Sequence, residues 1–147
     1  MPLETYLGDA VVVDLTEKFG HDQNRQITVA DLTSASDAVG AASRVLFKTG
    51  VWKASDIFPE WIPVMASDVP GWLVERKVKL VGLDLPSVDA IDAKILVNHH
   101  ALAAAGIVIV ESLDLSAVEA GSYHFSALPL RISGGDAAPV RAILWRN

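Results

Sequence analysis

The sequence of 147 residues contains no cysteine, which excludes disulfide scaffolds and zinc or iron–sulfur sites with cysteine ligands. Charge is also scarce: charged residues make up 20% of the chain, and 18 acidic residues outnumber 12 basic ones to give a net charge of -6. Such an acidic chain lacks the basic surface that binds nucleic acids or anionic lipids. We therefore expect neither nucleic acid nor a membrane as a partner, and the absence of cysteine favours the cytoplasm.

Long hydrophobic runs are absent as well. The most apolar stretch, residues 101–110, is much shorter than the roughly 20 residues that span a bilayer. Residues 1–9 carry two acids and lack the basic region and apolar stretch of a signal peptide. Hydrophobic residues nevertheless make up 51% of the chain, which excludes a disordered polypeptide. The expected organisation is one soluble, intracellular domain over residues 1–147.

Several catalytic motifs are missing too. There is no Gly-x-Ser-x-Gly elbow of a serine hydrolase, no P-loop and no Gly-x-Gly-x-x-Gly fingerprint. Gly134 and Gly135 indicate a tight turn and not a phosphate cradle. The irregular stretch of residues 48–65 contains Trp52 and Trp61, which could wall an aromatic pocket or simply pack.

Short apolar runs and turn residues predict strands and helices in alternation. Thr28 and Asp31 have the spacing of a capping box for a helix that begins at Val29 and fades near Gly40. Strands are predicted at residues 10–15, 44–47, 80–83, 107–110, 122–132 and 140–145, and a further helix at residues 92–105.

A helix is also expected after Ser67, with Pro70 in its first turn and Trp72, Leu73 and Val74 as its apolar surface. This alternation predicts a largely parallel sheet with helices packed on it. The last two strands follow one another through the glycine turn and should pair antiparallel. The predicted fold class is therefore α/β with a mixed sheet.

His99 is the first candidate for chemistry. On a helix over residues 92–105 it shares one face with Ile91, Ile95 and Leu102, so we expect it on the apolar stripe that faces the sheet. His100 lies about 100° further round, nearer the flank. A core histidine satisfied by one hydrogen bond remains the alternative interpretation.

Glu111 is the second candidate, because it directly follows the strand predicted at residues 107–110. Ligand sites in open parallel sheets lie outside the carboxyl ends of the strands. Asp84 ends the preceding strand in the same way, and Asp89 follows shortly after it. Carboxylates and an imidazole at one edge suit a divalent metal, whereas the alternative for Glu111 is a solvated strand end.

These residues do not form a complete site by themselves. A catalytic zinc usually has three protein ligands and one open position. His99 and Glu111 are the two predicted metal ligands. His21 lies in a polar loop. His124 lies on the strand face opposite Phe125 and is expected to face away from the core, so neither histidine is expected to bind the metal.

Several segments together resemble the cyclase family, which includes bacterial kynurenine formamidases. They occur in the family's order and with the family's spacing over essentially the whole chain. The resembling segments are residues 2–8 (PLETYLG), 44–49 (RVLFKT), 79–89 (KLVGLDLPSVD), 99–113 (ending in IVIVESL), 127–132 (ALPLRI) and 136–141 (DAAPVR).

The resemblance implies a swivelling β/β/α-type, cyclase-like fold and hydrolysis of amides with one or two divalent metals, zinc or manganese. Among the formamidases, the substrate is N-formylkynurenine and the products are kynurenine and formate, a step of tryptophan breakdown. By resemblance, His99 is a ligand of the second metal and Glu111 bridges both metals.

One departure from the family concerns its main metal motif, His-x-Gly-Thr-His-x-Asp-x-Pro-x-His. In the family this motif precedes the segment that begins here at Pro2, and nothing like it occurs in this sequence. The resemblance therefore implies an N-terminally truncated chain that is inactive alone, through a late start site or through loss from the gene. A small-molecule amide is the expected substrate of a completed enzyme, and exposed sheet edges predict a homodimer or larger assembly.

The alternative function is a non-catalytic binding or structural domain that keeps the fold without the motif. It predicts no hydrolysis even with added metal, and tolerance of substitutions at His99 and Glu111.

Overall fold

The computed structural model describes residues 2–20, 26–52 and 57–146, and a six-stranded mixed sheet runs through them. The strands are β1 (Leu7–Asp14), β2 (Arg44–Lys48), β3 (Leu80–Leu83), β4 (Val108–Val110), β5 (Gly121–Ser126) and β6 (Ile143–Trp145). Their order is β4-β3-β2-β1-β5-β6. β1 to β4 pair in parallel, β5 pairs antiparallel with β1, and β6 pairs antiparallel with β5. The predicted α/β class with a mixed sheet is confirmed.

Short helices connect the strands. They are α1 (Thr16–Phe19), α2 (Val29–Leu32), α3 (Ser36–Ala42), α4 (Val69–Glu75) and α5 (Val97–Ala104), with 3₁₀ turns at Leu3–Thr5 and Thr33–Ala35. The helix predicted from Val29 is present but is divided by the 3₁₀ turn, and it ends at Ser43, whose φ of 61° is left-handed. None of the described helices is both long enough and apolar enough to cross a bilayer.

The continuous apolar runs of the inner strands reflect burial on both sheet faces. One face packs against the helices and carries Val11, Val13 and Phe47 among its buried residues. The opposite face has Val12 and Leu46, which pack with residues such as Phe125 and Leu115 from the last third of the chain. Alternate residues of one strand therefore enter two separate cores.

Arg44 anchors the N-terminal segment to the sheet. It is 7% exposed, and its guanidinium donates to the carbonyl oxygens of Thr5 (2.9 Å), Asp9 (3.2 Å) and Leu7 (2.5 Å). Gly8 packs directly on this group: its φ is 135°, and a Cβ atom there would lie 2.8 Å from Arg44 Nη1. The segment before β1 is thus fixed by a buried cation that is satisfied by backbone carbonyls.

Two helix starts differ from the sequence prediction. The helix predicted at residues 92–105 begins only at Val97. The N-cap of α4 is Asp68 and not Ser67, and Val74 is 50% exposed, although Pro70 lies in the first turn and Trp72 is buried as expected.

The last two strands are also shorter than predicted. β5 ends at Ser126 and β6 begins at Ile143, so neither extends over residues 122–132 or 140–145. Residues 127–142, here named the arm, lie outside regular strands and contain one isolated bridge between Pro129 and Val140. Because proline lacks the N–H that a ladder needs, Pro129 is poorly suited to continue β5. The predicted turn is present within the arm, with Gly134 at a φ of 74°.

The predicted capping box of α2 is present. The Asp31 carboxylate accepts hydrogen bonds from the backbone N–H (2.7 Å) and the hydroxyl (2.6 Å) of Thr28, and it also pairs with Lys18. Partial burial opposes ionisation, but the hydrogen bonds from Lys18 and Thr28 outweigh it and hold the pKa of Asp31 below its ordinary value. This carboxylate ties α1 to the start of α2.

We predict that Asp31→Asn lowers the free energy of unfolding by about 1 kcal/mol at neutral pH, the usual size of a capping contribution. Because the folded-state pKa of Asp31 is lowered, its contribution is complete above the unfolded-state pKa and is lost as the pH falls through the folded-state pKa. Urea unfolding at several pH values should show the difference between variant and parent shrinking below about pH 4. Asp37→Asn, on the exposed side of α3, is the matched control, and a difference that grows on acidification would contradict this prediction.

Candidate metal centre

The structure brings His99 and Glu111 together. His99 lies on α5 and Glu111 directly follows β4. The distance between His99 Nε2 and Glu111 Oε1 is 3.3 Å. The other ring nitrogen, His99 Nδ1, is 2.8 Å from Asp89 Oδ2. One imidazole therefore spans two carboxylates from the loops that follow β3 and β4.

His99 is not on the buried stripe that the sequence predicted. Its side chain is 30% exposed, whereas Asn98 and Leu102 are the buried residues of α5. Ile91 and Ile95 are 37% and 70% exposed, because both precede the helix that was expected to align them with His99. The imidazole is thus half-buried on α5, and it contacts two carboxylates where the alternative of a core histidine expects one hydrogen bond.

Asp89 determines where α5 begins. Its carboxylate accepts hydrogen bonds from the backbone N–H groups of Asn98 (2.9 Å) and His99 (3.1 Å), both in the first turn of the helix. The side-chain amide of Asn98 donates to the carbonyl oxygens of Met65 (3.1 Å) and Val88 (3.0 Å). Sequence spacing indicates Asp89 as a carboxylate of the site, but it contains no signal for its contact with the helix or for the role of Asn98.

The two carboxylates that flank His99 have opposite pKa shifts. Burial raises the pKa of the Glu111 carboxyl, and the nearby imidazole of His99 and the N–H of Val88 only partly offset this effect. Burial also opposes ionisation of Asp89, but hydrogen bonds from the backbone of Asn98 and from His99 lower its pKa overall. Asp89 is therefore the carboxyl group whose pKa is lowered overall, and Glu111 is the one whose burial is only partly offset.

Glu111 is oriented by a backbone contact. The N–H of Val88 donates to Glu111 Oε1 at 3.3 Å. The loop that follows β3 therefore contacts the Glu111 carboxylate as well as helix α5. His99 and Glu111 line a groove of about 790 Å³ between strand β4 and the arm, with Tyr6 and Pro129 also on its walls. A small molecule from solvent can reach His99 and Glu111 through this groove.

Asp84 has a structural role and does not join this pair. Its carboxylate accepts hydrogen bonds from the backbone N–H (2.9 Å) and hydroxyl (2.7 Å) of Thr49 and from the N–H of Gly50 (2.8 Å). These contacts tie the end of β2 to the end of β3 and engage both oxygens of a side chain that is 6% exposed. The prediction that Asp84 contributes to a shared carboxylate edge is therefore wrong.

The remaining candidates lie elsewhere. His124 Nδ1 lies 2.9 Å from Asp9 Oδ1, and its ring contacts the ring of Trp145 on β6. His21 lies outside the described residues. Trp52 lines a separate cavity of about 540 Å³ beyond the ends of β1 to β3, and Trp61 is not among the residues that line it.

The donor atoms of the pair fit a divalent metal, but the number of donors is short of a full set. An imidazole nitrogen beside a carboxylate oxygen suits zinc or manganese. Within residues 2–20, 26–52 and 57–146, no group of three His, Asp or Glu side chains is arranged to hold a metal ion. A catalytic zinc normally has three protein ligands, so His99 and Glu111 would supply part of a centre.

We predict that this chain binds Zn²⁺ weakly and that binding depends on the pair. His99→Ala should weaken Zn²⁺ binding by more than about tenfold, because one of two donors is lost. Glu111→Gln should act similarly while its amide oxygen still accepts from Val88. Titration calorimetry measures these affinities. His100→Ala, an exposed neighbour, is the control, and unchanged Zn²⁺ affinity in His99→Ala would sink the assignment.

Comparison with known proteins adds a family and a fold. The model of the Cyclase family matches residues 1–90. Kynurenine formamidase of Salinibacter ruber is 42% identical over 146 residues, and that of Geobacillus thermodenitrificans is 38% identical over the same length. Each alignment covers 98% of this chain and 65% of the relative, so the chain spans less than two thirds of these proteins.

Solved structures agree with this result. A protein described as a potential metal-dependent hydrolase with cyclase activity superposes with a TM-score of 0.76 at 31% identity, covering 97% of this chain and 67% of its own. Isatin hydrolase A from Labrenzia aggregata superposes with a TM-score of 0.80 at 21% identity, covering 98% of this chain and 62% of its own, and shows the fold alone. The cyclase-like fold implied by the sequence segments is confirmed.

Proposed function

Since this chain belongs to the Cyclase family, we propose that it forms part of a divalent-metal-dependent hydrolase that cleaves the formamide bond of N-formylkynurenine to give kynurenine and formate. The observation that carries the proposal is the approach of His99 Nε2 to Glu111 Oε1 at 3.3 Å. The kynurenine formamidases that align with 98% of the chain support the substrate class.

In this proposal His99 Nε2 and the Glu111 carboxylate hold the metal. When bound, such a metal supplies Lewis-acid activation of a carbonyl and of a water nucleophile. Zinc or manganese, a place in tryptophan breakdown and a cytoplasmic location belong to the same proposal. The imidazole and carboxylate donors favour those two metals over calcium or magnesium.

The residues of the chain orient these ligands and border the substrate. Asp89 and Val88 hold His99 and Glu111 respectively. The groove beside them has apolar walls from Ile107 and Val140, which suit the aromatic ring of an anilide-type substrate. Substrate would enter along the outer edge of β4, because that strand ends the sheet.

We predict that the 147-residue chain does not hydrolyse N-formylkynurenine above background, even with added Zn²⁺ or Mn²⁺, because two ligands seldom hold a catalytic ion. A chimera that places a relative's segment with the His-x-Gly-Thr-His motif before Pro2 should hydrolyse it. His99→Ala in that chimera should return the rate to background. Release of kynurenine, followed by its absorbance, is the measurement.

Two results would count against the proposed function. One is hydrolysis by the 147-residue chain that persists in its His99→Ala variant, because the pair would then be irrelevant to the activity. The other is a folded, metal-loaded chimera without activity, which would favour the non-catalytic binding or structural domain. His100→Ala in the chimera serves as the matched control.

We further propose that the chain associates with itself. β4 and β6 are the outer strands of the sheet, and outer strands offer unpaired backbone groups. The arm exposes Leu128 (45%), Leu130 (61%) and Ile132 (52%). Apolar side chains spaced along one segment favour a protein contact.

We predict a dimer or larger species in sedimentation velocity at high micromolar concentration. Replacing both Leu130 and Ile132 by lysine should shift the distribution toward monomer, because charge disfavours burial of the arm. Val74→Lys, equally exposed but on α4, should leave the distribution unchanged. A monomeric parent chain would refute self-association.

A further inference from the structure

Resting on the proposed metal-dependent function, we propose that Asp89 is a positioning residue: it holds the neutral imidazole of His99 with the proton on Nδ1, so that the lone pair of Nε2 faces Glu111 and the metal position. The comparisons assign no role to Asp89. The proposal concerns a side chain that acts through His99 and does not itself bind the metal.

Donor and acceptor chemistry determines which ring nitrogen of His99 carries the proton. Asp89 Oδ2 lies 2.8 Å from His99 Nδ1, and the carboxylate is 4% exposed. An ionised carboxylate can only accept hydrogen bonds, so Nδ1 must carry the proton of this contact. A neutral imidazole has a single N–H, which leaves Nε2 as the nitrogen with a free lone pair. That nitrogen is the one 3.3 Å from Glu111 Oε1.

The carboxylate is itself held rigidly. Two backbone N–H groups of the first turn of α5 donate to it, from Asn98 to Oδ1 and from His99 to Oδ2. The N–H of Asp89 donates to the hydroxyl of Ser87 (3.0 Å). Because both the backbone N–H and the ring Nδ1–H of His99 donate to Asp89, one carboxylate sets the start of the helix and the direction of the ring.

The arrangement has the form that metal-binding histidines usually take. A ligating histidine commonly donates its second ring N–H to a carboxylate, which fixes the tautomer and the ring orientation. Here the Asp89 carboxylate contacts Nδ1 on one side of the His99 ring, and the Glu111 carboxylate contacts Nε2 on the other side. Asp89 thus prepares Nε2 as a donor before any metal is present.

A purely structural role for Asp89, as a cap of α5, predicts something different. Capping requires only the two backbone contacts and is indifferent to the proton on the ring. Asn98 offers a matched control for stability. Its side chain is buried and bonded to Met65 and Val88, so Asn98→Ala weakens the same junction without removing the contact to the ring.

The test is the tautomer of His99 in the metal-free chain, read from long-range ¹H–¹⁵N correlation spectra at about pH 8.5. The resonances of His99 are identified by their absence in His99→Ala. We expect the parent chain and Asn98→Ala to show the pattern with the proton on Nδ1. Asp89→Ala should lose that pattern in favour of the Nε2–H form or a mixture.

The conservative variant Asp89→Asn gives the rescue. Its carbonyl oxygen can accept from both the N–H and the Nδ1–H of His99, so the Nδ1–H pattern should persist while the charge is lost. Zn²⁺ affinity should fall by about 10- to 100-fold in Asp89→Ala and by less in Asp89→Asn, the range typical of residues that support metal ligands.

The outcomes separate this inference from the proposed function. An Nδ1–H pattern that survives in Asp89→Ala, or a loss of it that is equal in Asn98→Ala, would overturn the positioning role. The spectra are recorded without metal or substrate, so a chain that hydrolyses nothing could still show the expected tautomers. Absence of formamidase activity would therefore not contradict the positioning role of Asp89. Loss of that positioning role would likewise not contradict the proposed activity.

Discussion

The buried carboxylate of Asp89 is the contact on which the candidate site depends. It accepts hydrogen bonds from the backbone N–H groups of Asn98 and His99 in the first turn of α5, and it contacts the ring of His99. α5 then leads into β4, and Glu111 directly follows β4. A displaced helix start would therefore move the imidazole relative to both carboxylates, because His99 lies within the first turn that Asp89 fixes.

Local patterns predicted some of these features and missed others for a physical reason. The capping box of Thr28 and Asp31 was found because both partners lie within one turn of the chain. The start of α5 was misplaced because its cap, Asp89, is nine residues before Asn98 and reaches the helix across a loop. With the helix assigned to begin too early, Ile91 and Ile95 entered the periodicity and placed His99 on the wrong face.

Buried polar groups show more clearly that local sequence patterns do not reveal contacts between distant residues. Asp84 has the sequence position of a site carboxylate, yet its oxygens accept hydrogen bonds from Thr49 and Gly50, which directly follow the neighbouring strand β2. Arg44 reads as an ordinary strand residue, yet its guanidinium collects the carbonyl oxygens of the N-terminal segment. Partners more than 30 residues away decide whether a charged side chain is a ligand or a structural tie, and no local spacing contains that information. The family segments did predict the cyclase-like fold, which local spacing alone did not.

A pair of oriented donors has chemical value even without a complete set of ligands. Ordering a side chain costs conformational entropy, and here Asp89 and the N–H of Val88 have already ordered His99 and Glu111. Burial raises the pKa of the Glu111 carboxyl, and a cation beside Nε2 would stabilise its charged form. Additional ligands would therefore meet two donors that need no rearrangement, in a groove open along the outer strand of the sheet. The described part of the chain fixes the orientation of the two proposed metal ligands, which is the property that scattered His and Glu residues on a flexible surface lack.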